Sequence, residues 1–301
     1  MFFLNIITFN SYNFFHKNNL LVCVGFNLGI ILMTLVKKSL LALTVAASLS
    51  GSANAAFFLT PSYTGSSTDS LSYSKLGVTL GNDYVYGGFS FRDYDIDHRK
   101  DIEAKDIFFG GEYRALLDSK LGYFVGGSID FSYDDDFDFT ESYNLNAYGG
   151  LSYDIGSGLS VVGGLGTYLT APKNFFYPVL MAKYKNSNDL GLSFIAGLPT
   201  TSLTYRFSNT FAVAADVKFA TAEPMVYMEN YYRNYDVYML DKSREVSVAA
   251  LFSPVDRLSV KAGVGYTIDR KLKYYNADGD EIARYDVDDD LKVFVSGSFT
   301  F

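Results

Sequence analysis

The sequence predicts an all-β fold, an antiparallel up-and-down barrel of about 14 strands whose outer face meets lipid, with 12 strands as the alternative. Three observations carry the prediction. Runs of about ten residues alternate apolar and polar from residue 57 to the end, the period that puts successive side chains on opposite faces of a strand. The turns between them alternate between short ones and longer, often acidic ones, which sorts the loops to two ends as in a membrane barrel. No stretch after residue 55 is long and apolar enough for a membrane-crossing helix, which needs roughly 20 residues.

The elements follow in order. Strands are predicted near 57–63, 71–80, 84–92, 104–116, 121–133, 141–154, 158–169, 175–185, 189–198, 201–207, 210–220, 244–252, 257–268 and 290–301. Short turns fall at Gly81–Asp83, Leu117–Lys120, Asp154–Gly158, Lys185–Asp189, Ser208–Thr210 and Ser253–Asp256. Longer connections fall at Asp93–Lys105, Asp134–Glu141, Thr221–Lys242 and Asp269–Asp290. Parity requires 189–207 to be two strands turned at Pro199-Thr200, because single-chain bacterial barrels carry even strand numbers. Within the last loop, Asp278-Gly279 marks a hairpin turn, so that loop is expected to be a β-ribbon above the membrane. Pro61 and Pro178 sit awkwardly, since proline gives a ladder no donor and a closed barrel has no free edge.

The front of the chain reads differently. Lys37-Lys38 forms a basic region, Leu40–Leu49 an apolar one and Ala53-Asn54-Ala55 a small-residue cleavage site, the three parts of a secretory signal peptide. The expected organisation is a non-native extension over 1–32, a signal peptide over 33–55 and a barrel over 56–301. The rival reading is a true leader anchored by Leu20–Val36. Residues 1–55 hold Lys17, Lys37 and Lys38 and no acid, so three of the 25 basic residues go with them. The remaining chain has 22 basic residues against 33 acidic ones, a charge of −11. It also loses Cys23, which rules out disulfides. The acidic balance argues against nucleic acid as a partner, because phosphate binding needs clustered Lys and Arg.

The chain ends on Leu291-Lys-Val-Phe-Val-Ser-Gly-Ser-Phe-Thr-Phe301, apolar on one face to the last residue. A signal peptide, a β-repeat and this terminal aromatic after Phe299 resemble Gram-negative outer-membrane β-barrels, porin-like as a class. The resemblance covers about 56–301. It implies periplasmic termini, an outer-membrane location, and lipid and lipopolysaccharide as surroundings. It further implies recognition of Phe299 and Phe301 by the barrel-assembly machinery.

Residues that could carry chemistry are few. His98 is the one histidine after residue 55, and it reads as a solvated loop residue rather than part of an outer-membrane protease. The acidic clusters Asp134–Asp138 and Asp286–Asp290 lack the ligand spacing of a dedicated Ca²⁺ loop and read as a solvated rim. No catalytic residue, cofactor or metal is expected.

The inward face is more informative. Parity places Arg92, Glu112, Arg114, Asp130, Lys183, Arg206, Asp216, Lys218, Glu245 and Lys261 in the lumen among glycines and serines. Tyr86, Tyr148 and Tyr168 would narrow it. Charges in a lumen either pair and fill it or line a wet pore. The expected function is a passive porin-like channel for small hydrophilic solutes, with loops 221–242 and 269–289 able to fold over its mouth. The alternative is a non-conducting structural or adhesive barrel with acidic loops, and an outer-membrane enzyme ranks lowest.

Overall fold

A computed structural model describes residues 56–301 apart from 98, 187–188 and 233–234. The expected extension, the signal peptide, Cys23 and His98 therefore lie outside the described residues. Sixteen strands follow one another: β1 (Phe58–Ser67), β2 (Leu71–Gly81), β3 (Val85–Ile96), β4 (Ile102–Leu116), β5 (Leu121–Tyr133), β6 (Tyr143–Gly156), β7 (Leu159–Thr170), β8 (Asn174–Tyr184), β9 (Gly191–Leu198), β10 (Thr200–Arg206), β11 (Phe211–Ala222), β12 (Val226–Tyr232), β13 (Tyr235–Val255), β14 (Leu258–Tyr275), β15 (Glu281–Asp286) and β16 (Asp290–Thr300).

Fourteen of them close the wall. β1 to β11 pair in sequence, β11 pairs with β13, β13 with β14, β14 with β16, and β16 returns to β1. The seam is fastened at its end by reciprocal backbone bonds between Phe57 and Phe301, 3.1 and 2.9 Å. β12 and β15 are outside the wall count. β15 pairs with the upper part of β14, and Gly279 makes its turn with φ +82°, which is the ribbon the sequence predicts. β12 pairs with β13 and touches β5 at Tyr227–Tyr133.

The burial pattern reverses that of a soluble protein. Phe109, Val125, Leu165, Phe176, Leu203, Val248, Val264 and Val293 stand exposed on the outer face, as they must when lipid is the outer solvent and every backbone group is satisfied within the sheet. This is a barrel of the outer-membrane kind.

Several expectations need correction. The long-loop end also carries short connections at 68–70 and 171–173, beside the tight turn through Pro199 that the sequence predicts. β13 and β14 run far beyond the predicted 244–252 and 257–268, to 21 and 18 residues, because their upper halves pair with each other above the wall. The acidic clusters are not simply solvated. Asp134 is buried and accepts the Glu103 N–H at 2.9 Å, and Asp290 is buried beside Arg270.

Both prolines find structural reasons. Pro61 faces Gly297 at a point where the β1–β16 ladder is interrupted between Leu59↔Phe299 and Ser62↔Ser296. Pro178 belongs to the upper half of β8, Asn174–Val179, which pairs only with β7, because the β8–β9 ladder starts at Leu180↔Leu198.

Candidate functional site: the lumen and its inner strand

Fourteen strands at ordinary spacing and tilt give a backbone radius of about 14 Å. Side chains alone do not fill that space, and the sequence supplies both charges and an extra strand to occupy it.

The charges lie mostly on one half of the wall. Arg92, on β3, is fully buried and grips Asp106 of β4 with two bonds, Nη2 to Oδ1 at 2.6 Å and Nε to Oδ2 at 2.9 Å. It also donates to Ser132 Oγ at 2.6 Å and to the Pro224 carbonyl at 3.0 Å. Lys75 meets Glu223 at 2.7 Å. Lower down, Lys261 pairs with Asp216 at 3.1 Å. Glu245 is shared by Lys218, at 3.5 Å, and Lys292. Higher up, Arg270 binds Asp241 at 2.7 Å and Asp290 at 3.5 Å, with its guanidinium 4.3 Å from the Tyr73 ring centre. Of these groups Lys75, Glu223, Lys218, Glu245, Lys292, Asp241 and Arg270 border a polar cavity of about 260 Å³ that also includes Ser62 and Thr64.

The other half is aromatic and aliphatic. Here Glu112 pairs with Arg114 and accepts the Tyr148 hydroxyl at 2.9 Å, and Lys183 lines the same cavity, about 570 Å³ in volume. Tyr86, Tyr148 and Tyr177 lie over glycines. An ideal Cβ on Gly110, Gly126 or Gly166 would sit 2.5, 2.7 or 2.2 Å from the respective ring.

Between the halves runs the inner segment. After β11 the chain turns into the barrel through Glu223, Pro224 and Met225 before forming β12. Asn144 of β6 clamps it. The Met225 N–H donates to Asn144 Oδ1 at 2.8 Å, and Asn144 Nδ2 donates to the Met225 carbonyl at 3.0 Å. Above the clamp, Val226 and Met228 pack with Leu71, Tyr94, Ile96, Ile102, Val237, Met239 and Leu272 in an apolar cluster. Every one of these nine is 1% exposed or less. The long-loop mouth is therefore stoppered by a core, where the sequence suggests only a loop able to fold over.

The sequence-predicted lumen residues are brought together in part. Arg92, Asp216, Lys218, Glu245 and Lys261 join the charged half, Glu112, Arg114 and Lys183 share the apolar cavity, and Asp130 accepts Ser128 Oγ at 3.0 Å. Arg206 stands apart, beside Lys185 and Asp189 around a separate cavity at the short-turn end. Tyr168 donates its hydroxyl to Asn144 Oδ1 at 3.0 Å, beside the inner segment. Sequence reasoning missed Asp106, Asn144 and Lys292, although each shares the inward parity of its strand. It also missed Lys75, which shares the inward parity within the predicted strand 71–80, and Glu223, Asp241 and Arg270, which lie beyond the predicted strand ends.

No protein-family model and no curated protein matches the chain. Among solved structures, the NanC porin is 12% identical over 81% of this chain and 100% of its own, with a TM-score of 0.41. A KdgM porin solved with disordered oligogalacturonate is 9% identical over 80% of this chain and 99% of its own, TM-score 0.35. The Pseudomonas putida toluene transporter TodX is 9% identical over 85% and 92%, TM-score 0.36. Scores this low decide neither fold nor substrate, and the barrel rests on the chain's own closed strand ladder.

Proposed function

We propose that the protein is an outer-membrane channel for small hydrophilic solutes, opened and closed by the inner segment 223–232. Its long-loop end faces outward and its termini face the periplasm. The observation that supports this is the contrast between wall and stopper. The wall is held by continuous backbone ladders. The stopper has a shorter ladder, β12 on β13, and Glu223–Met225 is tied to its surroundings by one backbone bond, Glu223 N–H to the Asp241 carbonyl at 3.1 Å, and by side-chain contacts from Lys75, Arg92 and Asn144.

Displacing that segment joins the polar cavity to the outside, with Lys75, Asp216, Lys218, Glu245, Lys261 and Lys292 along the way. Transport then needs no chemical step, only diffusion past paired charges. In the same reading residues 33–55 direct secretion, and Phe299 and Phe301 present the last strand to the assembly machinery. Lipid and lipopolysaccharide surround the folded barrel.

Planar-bilayer recording of pure, folded protein tests this. Discrete steps that become more frequent when segment 223–232 is loosened support a channel. Their absence in both native and loosened protein overturns it in favour of the non-conducting barrel, a reading the apolar stopper also suits.

A further inference from the structure

The wall is not of even height. The β9–β10 hairpin stops at Gly197–Thr201, where the Gly197 N–H donates to Thr201 Oγ1 at 3.0 Å. Its neighbours continue upward. β8 runs on through Asn174–Val179 with a partner on the β7 side only. β11 runs on past Phe219, whose N–H makes its bond to the Pro199 carbonyl, 3.1 Å, and beyond that pairs only with β13.

Six residues at strand rise and the place of two absent strands make a gap about 20 Å tall and about 14 Å between backbones. It has a roof. The ribbon of β13, β14 and β15 crosses to the β7–β8 turn, where Lys173 Nζ lies 5.0 Å from the Tyr275 ring centre and the Pro172 carbonyl lies against Gly279. Phe175 joins the cluster of Met225, Tyr238 and Tyr275 beneath it.

The sequence is adapted to this edge. The Leu180 carbonyl points at β9, 1.9 Å from where a Cβ of Gly197 would be. The Phe175 carbonyl accepts Thr167 Oγ1 on the β7 side. Backbone direction alternates along a strand, so Pro178 turns its nitrogen toward the missing partner. A free N–H facing hydrocarbon is costly, and proline removes it where a central strand would not tolerate one.

We infer that this gap is a side window between the aromatic cavity and the outer leaflet, and that the cavity takes a small amphiphile with an apolar body and one anionic group. The geometry is shared. Pro199 of the sill and Tyr177 and Val179 on the inner face of β8 line both the window and the cavity of about 570 Å³, which Met181 continues below the sill, a size that suits a single small ligand. On the outside the frame is apolar, with Phe176 82% exposed and Leu180 56%. Inside, Arg114 and Lys183 stand against the single carboxylate of Glu112, an excess of positive charge for the head of such a molecule. The window opens below the Asn144 clamp, so this path does not require the stopper to move and stands apart from the hydrophilic channel.

Two measurements test it. The barrel region has no cysteine, so single cysteines labelled with bimane report locally in vesicles containing brominated phosphatidylcholine. Val179→Cys, on the lumen face, is expected to be quenched at least half as strongly as lipid-facing Leu165→Cys. Quenching no greater than that of Ser62→Cys, in the polar cavity on the charged half of the lumen, overturns the window. The second probe is 11-(dansylamino)undecanoic acid, expected to give a saturable rise in emission. Val179→Trp should weaken its binding about tenfold or more. Lys183→Ala should weaken it more than it weakens the corresponding neutral alcohol. No saturable signal, or indifference to Val179→Trp in protein whose barrel is intact by heat-modified gel mobility, overturns the site. Loss of the signal on adding phosphatidylglycerol identifies a lipid head group as occupant and overturns the free amphiphile.

Discussion

Asn144→Ala isolates the clamp on the inner segment. Asn144 is fully buried, and its carboxamide satisfies both the N–H and the C=O of Met225, itself 2% exposed. Truncation takes the Asn144 partner from two buried backbone groups in the stoppered state, leaving only the Tyr168 hydroxyl beside the Met225 backbone. Each lost partner costs ~1–3 kcal/mol, while water satisfies both groups once the segment has left. Taking the lower part of the range, the stoppered state loses about 3 kcal/mol relative to the open one. At 1.4 kcal/mol per factor of ten, the open-to-closed ratio rises about 100-fold. The wall is untouched, because backbone ladders and not Asn144 close it. Single-channel recording reads the result as open probability. Asn146→Ala serves as the control, since Asn146 holds Tyr177 Oη at 2.7 Å and not the segment. An Asn144→Ala protein that gates like wild type, or one matched by Asn146→Ala, refutes the reasoning that these two bonds hold the stopper.

Three other outcomes follow from the same structure. Arg114→Ala and Lys261→Ala each remove a lumen cation and leave Glu112 or Asp216 without that partner. Both reversal potentials should move toward cation preference, and potentials identical to wild type count against a conducting lumen. At the outer tip of β12, Glu229 has its carboxyl raised above the usual 4.5, first by a hydrogen bond with Asp136 and then by burial and by the charges of Asp136, Asp236 and Asp138. Its proton is thus favoured when β12 is seated, so acidification toward and through that raised value should lower open probability, and Glu229→Gln should flatten the dependence. Phe301→Ala or removal of Phe301 should reduce the heat-modifiable folded fraction in outer membranes, and an undiminished fraction argues against a role for the terminal aromatic in assembly.

Strand number, parity and lumen side were legible because membrane strands repeat one simple rule: outward residues apolar, inward ones polar or small. Leu291, Val293 and Val295 against Lys292 and Ser296 illustrate it at the last strand. The rule fails above the membrane, where β13 and β14 bury both faces. Asp241 and Arg270 looked like loop residues because charge there is buried by pairing, not repelled to solvent. Val226 and Met228 were hidden for a related reason. A short apolar run gives no sign of whether it packs inside a barrel or lies on top of one. Pro178 carried a true signal, a free strand edge, but the missing partner is defined by where β9 stops, some twenty residues later.

The rings of Tyr86, Tyr148 and Tyr177, seated on bare glycine backbone, bear on how such a protein changes its gauge. A methyl group at Gly166 would meet the Tyr177 ring first and push a whole phenol toward the axis, whereas at Gly110 or Gly126 it would also press on a neighbouring carbonyl of the wall, 2.9 or 3.0 Å away. At Gly166 aperture could thus be adjusted by a mutation too small to threaten the cylinder itself, so that calibre and stability need not be traded against each other.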